Sequence, residues 1–347
     1  MARTLKVVHI GLGPIGQSIA RLTLDRDGLQ VVGATDLSPD QAGKDLGIVL
    51  GLGRKLRVKV DGSPEKFIRK SRADVAVLCT SSSLKTIKPQ LLGLIQRGMH
   101  VVTTCEELAF PIPEQAAAWR DIDKAATAKK VSVLATGVNP GYAMDALALM
   151  LTAPCSDVTR VSVTRVVDAR TRRLPLQRKV GAGLNLNQFR RAMTEGTVRH
   201  VGLPQSVYMI ATALGWKLDR VDETLEPAIA PRDLDTEYLR IPAGMAAGIK
   251  QSARGYRNGD LAITLDLQMY VGAEQPRDHI LIDGVPPIDM TIAGGVAGDS
   301  ATAAITVNAI PKVMGARPGL LTMHDLPLVH RLNPLELREL AGAKKPR

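Results

Sequence analysis

The hydrophobic positions fall into two regimes that meet near Pro140. Before it, short and almost wholly apolar runs alternate with segments of helical periodicity. The runs Leu5–Ile10, Gln30–Thr35, Val75–Thr80, His100–Thr103 and Val131–Thr136 predict strands; Ile15–Thr23, Leu84–Arg97 and Pro113–Lys129 predict intervening helices. This alternation predicts βαβ units, with a parallel sheet between two layers of helices. Strands apolar at nearly every position suit a sheet covered on both faces. After Pro140 the period shortens to two. Leu261, Ile263, Leu265, Leu267, Met269 and Val271 occupy alternate positions, and Val161–Asp168 alternates similarly. Such runs predict a sheet with one covered face, antiparallel or mixed. A helix is expected around Leu203–Leu214, and Asp299-Ser300 is placed to cap another through Ala301–Ile310. The expected fold is α/β: a Rossmann-type doubly wound parallel sheet plus an α+β domain with a mixed or antiparallel sheet. The first is expected over residues 1–140, completed by about 300–347, and the second, for substrate binding and oligomerisation, over 141–299.

Length and composition agree with two domains. A chain of 347 residues exceeds one simple core. Aromatic residues make up only 3%, so packing rests on aliphatic side chains and Met. No apolar run approaches the roughly 20 residues that span a bilayer. Met1–Lys6 leads straight into a strand without a signal-peptide core. Cys79, Cys105 and Cys155 have neither CxxC nor metal-ligand spacing. A reduced, cytoplasmic protein without metal or membrane association is expected. The net charge is +11, from 45 basic and 34 acidic residues. The basic residues are scattered and accompany no nucleic-acid-binding motif, so the charge suits phosphorylated or acidic small molecules better than nucleic acid. Lys344-Lys345-Pro346-Arg347 reads as a solvated tail.

Candidate chemistry begins at Gly11-Leu12-Gly13-Pro14-Ile15-Gly16, between the first strand and the first helix. Gly11 permits the tight turn, Gly13 lets a pyrophosphate approach the backbone, and Gly16 lets helix and strand pack closely. The helix N-terminus offers N–H groups to the phosphate. Asp36, about 20 residues beyond Gly16, stands where a carboxylate takes the adenosine ribose hydroxyls. A 2′-phosphate would be repelled there, so NAD is expected, with NADP a possible alternative. Thr80, Ser81, Ser82, Thr104 and Cys105 are further cofactor-binding candidates at strand ends, although Ser82 or Ser83 could equally cap the following helix. Glu106 and Glu107 follow the strand His100–Thr103. A carboxylate there could deprotonate a substrate ammonium, stabilise an iminium cation or activate water. Adjacent residues cannot easily point the same way, and Glu106 is preferred. The segment Thr136–Asp145, with its Gly, Asn-Pro and Gly, marks a turn where the first domain ends, either a ligand site or a simple hinge.

Further segments extend the pattern: Gly43-Lys44-Asp45-Leu46-Gly47, Thr103-Thr104-Cys105-Glu106-Glu107, Gly137-Val138-Asn139-Pro140-Gly141-Tyr142, Gln177-x-Lys179-Val180-Gly181 and His200-Val201-Gly202-Leu203. Toward the C-terminus come Gly298-Asp299-x-x-Thr302 and Pro318-Gly319-Leu320-x-Thr322-Met323. In combination they resemble the 2,4-diaminopentanoate dehydrogenase family, which includes the native amine dehydrogenases and has a dihydrodipicolinate-reductase-like N-terminal domain. The resemblance implies NAD(P)-dependent oxidative deamination of an amine to a carbonyl compound and ammonia, reversible as reductive amination. It places the catalytic glutamate on the Glu106-Glu107 pair. It also makes Asn139, Pro140, Tyr142, Arg165, Asp168 and His200 candidate substrate-pocket residues. His200 could instead be a satisfied core histidine. The His-His pair and Ser-Gly-Thr-Ala segment of 4-hydroxy-tetrahydrodipicolinate reductase are absent, as is the Asn-Lys of homoserine dehydrogenase. A diamino-acid substrate and a non-catalytic NAD(P)-binding sensor are the alternatives. A homodimer, paired through the second sheet, is the expected assembly.

Overall fold

A computed structural model describes residues 4–331 and Asn333. The tail expected to be solvated, Lys344–Arg347, lies outside them. The chain divides into two compact units: residues up to Gly141 with those from Ala297 onward, and Tyr142–Val296.

The first unit runs β1 (Leu5–Ile10), α1 (Pro14–Leu24), β2 (Leu29–Thr35), α2 (Leu46–Val49), β3 (Val60–Asp61), α3 (Pro64–Lys70), β4 (Val75–Leu78), α4 (Leu84–Gln96), β5 (His100–Thr103), α5 (Ala116–Ala128) and β6 (Ser132–Ala135). The second unit contains α6 (Ala146–Leu151), β7 (Asp157–Asp168), α7 (Leu174–Lys179), α8 (Leu186–Thr194), α9 (Leu203–Ala213), β8 (Arg220–Ile229), β9 (Leu234–Asp235), β10 (Arg240–Ile241), β11 (Ala246–Arg257), β12 (Asp260–Tyr270), β13 (Arg277–Val285) and β14 (Ile288–Ala293). The chain then returns to the first unit as α10 (Gly298–Gly315) and β15 (Gly319–Leu321).

Seven parallel strands of the first unit lie in the order β15-β6-β5-β4-β1-β2-β3. This is the Rossmann-type sheet. Side chains of β1, β4, β5 and β6 form one apolar core with α3, α4 and α5, including Ile10, Leu78, Leu91, Leu94, Val101, Ile122 and Val133. Helix α1 packs against α10, which lies along β5 and β6. Two boundaries differ from the sequence expectation. Helix α10 is longer at both ends and takes in Asp299-Ser300; its N-cap is Ala297, without a side-chain hydrogen bond. Asp299 sits in the first turn, where its charge favours the helix dipole. Pro113–Gln115 forms a short 3₁₀ turn before α5 instead of helical turns continuous with it.

The second unit holds a six-stranded sheet ordered β14-β13-β7-β12-β11-β8. Only β7 and β12 pair in parallel; their other neighbours are antiparallel. The sheet is therefore mixed. Val161, Val163, Ile263, Leu265, Leu267, Ile280 and Ile282 point to one face and pack with Leu203, Val207 and Ile210 of α9 and Leu147 of α6. The opposite face carries a register row of Thr291, His279, Thr164, Asp266, Ser252 and Thr224, one residue per strand. Among the described residues no helix is long and apolar enough to cross a membrane.

Candidate functional site

The Gly-rich turn has the geometry its composition anticipates. Gly11 lies at φ +89°, and a Cβ there would come within 2.5 Å of the Cys79 carbonyl oxygen. A Cβ on Gly16 would collide with the Gly11 carbonyl oxygen, so helix and turn meet only because that carbon is missing. At Gly13 a Cβ would have nothing within 4 Å. The space beside Gly13 is open, which is what an approaching pyrophosphate requires. Helix α1 starts at Pro14, has no side-chain cap and has no acidic residue in its first turn. Its N-terminal N–H groups and partial positive charge are left to an anion. These features fit a dinucleotide.

Leu12, at the tip of the turn, is fully buried, and its peptide groups are held from both sides. Asp36 Oδ2 accepts the Leu12 N–H at 2.5 Å and Oδ1 accepts the Ser38 N–H at 2.8 Å. Gln17 and Gln41 each donate Nε2 to the Leu12 carbonyl, at 3.0 and 3.1 Å. Asp36 thus braces the turn as well as standing at the carboxyl end of β2. The sequence reading assigned it only the ribose. A carboxylate has about four lone-pair sites, so both tasks are compatible.

The carboxyl ends of β4, β5 and β6 are stitched together by backbone and hydroxyl groups. Thr103 Oγ1 donates to the Leu78 carbonyl at 2.7 Å, the Thr104 N–H to the same carbonyl at 3.2 Å, and the Thr136 N–H to the Thr103 carbonyl at 2.9 Å. Cys105 Sγ and the Glu107 N–H both reach the Ser82 carbonyl, at 3.1 and 3.3 Å. Residues Glu106–Leu108 then form one 3₁₀ turn. Glu107 Oε2 accepts the Leu84 N–H at 2.8 Å, satisfying a first-turn donor of α4. The sequence offered Ser82 or Ser83 for this cap. Ser83 is the N-cap residue but forms no side-chain cap bond, and its N–H goes to Ser81 Oγ at 3.1 Å. Glu106, half-buried, stands close enough to Cys79 and Cys105 for its charge to act on both thiols. Burial, with a smaller contribution from Glu106, pushes the Cys79 thiol up to about 12 and raises Cys105 as well. Neither cysteine offers a thiolate, which removes thiol nucleophilic chemistry from this place. Thr80 Oγ1 hydrogen-bonds Gln90 at 2.7 Å. Asn139 and Pro140 follow β6 in the loop closed by the Val138 N–H to Thr302 Oγ1 bond, 3.2 Å, and both are buried.

The remaining pocket candidates belong to the second unit. Tyr142 packs at the edge of its core, and its carbonyl accepts the Asp145 and Leu147 N–H groups. Arg165 is 3% exposed; Nη1 donates to both oxygens of Asp278 at 2.6 Å and Nη2 to the Val296 carbonyl at 2.6 Å. Asp278 also accepts the Val296 N–H. This guanidinium clamps the end of the unit by its backbone, a task the sequence did not signal. Asp168 Oδ1 accepts the Arg170 and Gly272 N–H groups, both at 2.9 Å, tying the end of β7 to the end of β12. His200 is held through its backbone: its N–H donates to Gln251 Oε1 and its carbonyl accepts from Gln251 Nε2, each at 2.8 Å. Burial first, then the charges of Lys179 and Arg165, lowers the imidazole pKa to about 3, so the ring is neutral at ordinary pH. Gln177, fully buried, donates to the carbonyls of Ala169, Arg170 and Arg172 and fixes the loop that carries these arginines. Asp145, the last residue of the Thr136–Asp145 segment, caps α6 at Ala146 and accepts Ser206 Oγ at 2.7 Å, a task the sequence did not assign to it.

Residues 142–339 match the model of the 2,4-diaminopentanoate dehydrogenase C-terminal domain family. The 2,4-diaminopentanoate dehydrogenase of Acetoanaerobium sticklandii is 34% identical over 336 residues, covering 93% of this chain and 94% of the relative. An amine dehydrogenase of Streptomyces virginiae is 22% identical over 349 residues, 93% of this chain and 96% of the relative. Among solved structures, an amine dehydrogenase from Mycobacterium smegmatis superposes with a TM-score of 0.84 at 23% identity, covering 95% of this chain and 98% of that one.

Proposed function

This chain belongs to the 2,4-diaminopentanoate dehydrogenase family, a family of oxidoreductases, and we propose that it catalyses reversible NAD(P)-dependent oxidative deamination of an amine. The observation that carries the assignment of roles is the engagement of one of the two glutamates by a neighbouring helix. Glu107 serves the α4 N-terminus, so Glu106 is the catalytic carboxylate. A nicotinamide dinucleotide held by its pyrophosphate at the Gly11–Gly16 turn would supply the hydride acceptor. Glu106 takes a proton from the substrate ammonium, which frees the nitrogen lone pair for hydride loss. It passes that proton to solvent, and the carboxylate so restored stabilises the resulting iminium by its negative charge and deprotonates the water that adds to the C=N carbon, returning this second proton to the departing nitrogen. Ketone or aldehyde and ammonia leave. In reverse the same carboxylate handles the protons of reductive amination. Asn139, Pro140, Tyr142 and His200 are assigned to the substrate. A neutral His200 can accept or donate one hydrogen bond without adding charge beside a cationic substrate.

NAD is the assigned cofactor, because Asp36 sits where a 2′-phosphate would meet a carboxylate. The three cysteines are free, which supports a reduced, cytoplasmic setting. A homodimer through the uncovered sheet face is supported by its row of mainly short hydroxyl and polar side chains. A second reading of the substrate rests on Arg172 and Lys179, whose charges act on Arg165 and His200 respectively. This cationic ground would receive a substrate carboxylate, as in a diamino acid.

The test is Glu106→Ala in an assay of NADH oxidation with ammonia and a panel of ketones, aldehydes and amino-keto acids. Turnover is expected to fall at least a hundredfold with NADH affinity unchanged. Retained turnover overturns the role of Glu106. Activity confined to carboxylate-bearing carbonyls selects the second reading, and a preference for NADPH overturns the cofactor assignment.

A further inference from the structure

The first unit contains a cavity of about 570 Å³ on the flank of the Glu106–Leu108 turn. One wall is a stripe of α4 formed by Leu84, Lys88 and Leu92 with Lys85 and Pro89, residues spaced three and four apart on one helix face. The facing wall comes from the Pro113–Gln115 turn and the start of α5, through Glu114, Gln115 and Ala118. Glu107, which holds the Leu84 N–H, lies in the lining as well. The floor is mostly apolar, and the charges are segregated. Lys88 is engaged by Asp121 at 2.7 Å across the two helices. Lys85 on one wall and Glu114 on the other are exposed, with no hydrogen-bond or ion-pair partner among the described residues.

We propose that this cavity is a binding site for an aliphatic amino-acid zwitterion, separate from the dinucleotide turn. The carboxylate is received by Lys85, the ammonium by Glu114 with Glu107, and the side chain lies along Leu84, Pro89, Leu92 and Ala118. A simple anion would have Glu114 and Glu107 against it, and a simple amine would have Lys85 and Lys88. Only a ligand bearing both charges is complementary to both walls. The volume is ample for a five- or six-carbon amino acid. Its occupant would share Glu107 with the first turn of α4 and so touch the turn that carries Glu106. The binding claim rests on the cavity alone and not on the proposed reaction.

Calorimetric titration of L-norvaline into the full chain tests the assignment, with pentanoate and pentylamine as single-charge controls. Saturable millimolar binding is expected, weakened at least tenfold by Lys85→Ala and by Glu114→Ala, and unchanged in Glu106→Ala. Both replaced side chains are exposed, so the thermal midpoints of these variants should match the parent and show that the fold is intact. Binding that survives both substitutions, equal binding of either single-charge control, or no saturation overturns the proposal.

Discussion

Glu106 and Glu107 are neighbours in sequence and differ in what surrounds their carboxylates. Glu107 accepts a peptide N–H that would otherwise go unsatisfied at the start of α4. Replacing it with Ala removes a capping interaction worth about 1 kcal/mol. Urea unfolding of Glu107→Ala should register that loss, while turnover persists at a substantial fraction of the parent's. A collapse of turnover equal to that of Glu106→Ala would transfer the catalytic role to Glu107. His9 shows a different residue-scale effect. It is 1% exposed in the interior strand β1, its Nε2 has no hydrogen-bond partner, and burial lowers its pKa to about 4. A folded-state value below the ordinary 6.5 means that its stability contribution is complete above about pH 6.5. It is lost as pH falls toward 4, because protonation then favours the unfolded chain. The shift corresponds to something on the order of 3 kcal/mol. His200, lowered to about 3, titrates in the same direction. Unfolding free energies measured between pH 7.5 and 4.5 should fall more steeply in the parent than in His9→Leu, and equal slopes would remove His9 from the account.

Elements explain why some of this was readable. The strand–turn–helix at Gly11–Gly16 is local: its glycines are demanded by atoms within the turn and the adjoining strand end. The alternation in β7 and β12 is local too, and it announced a sheet with one apolar face. The clamp at Arg165 is not local. Its partner Asp278 lies on β13, which pairs with β7 only because the sheet order places them side by side. No spacing rule links the two residues. Strands β8, β11, β13 and β14 were not anticipated from the sequence. For β8 the reason is its place at a sheet edge, where it is largely exposed and shows no apolar alternation. Breaking the clamp should be costly. Arg165→Met leaves Asp278 buried without its counter-ion and is expected to destabilise by about 3–5 kcal/mol. Adding Asp278→Leu should recover most of that in chemical denaturation. Substrate KM in the double variant reads the other role proposed from sequence: a large increase would show that Arg165 serves the substrate as well as the fold.

For the whole molecule, the sheet of the second unit presents the row Thr291, His279, Thr164, Asp266, Ser252 and Thr224 away from its core. Ser252 and Asp266 in it hydrogen-bond one another across β11 and β12. Beside this hydroxyl-rich row the same face carries charges of both signs, with Lys250 and Arg254 paired in register with Glu226 and Asp222, which suits a wet interface with a second copy related by a two-fold axis. Light scattering should give twice the chain mass. Thr164→Arg, which sets two new cations against each other near the axis, should shift the species toward monomer. A monomeric parent would end the assignment.

The sequence by itself determined the cofactor turn, the doubly wound first unit, the one-faced second sheet and the short run of residues that holds the proposed catalytic carboxylate. Each follows from periodicity or from contacts between near neighbours in the chain, where residue type and spacing carry the physics. Tertiary structure decided which glutamate is committed to α4, that Asp36 braces the turn through Leu12, and that Arg165 closes on Asp278. It also decided that Lys85 and Glu114 face one cavity. Most of these join segments brought together only by folding, and all depend on where a polar group finds its partner or is left without one. Sequence spacing carries no record of that choice.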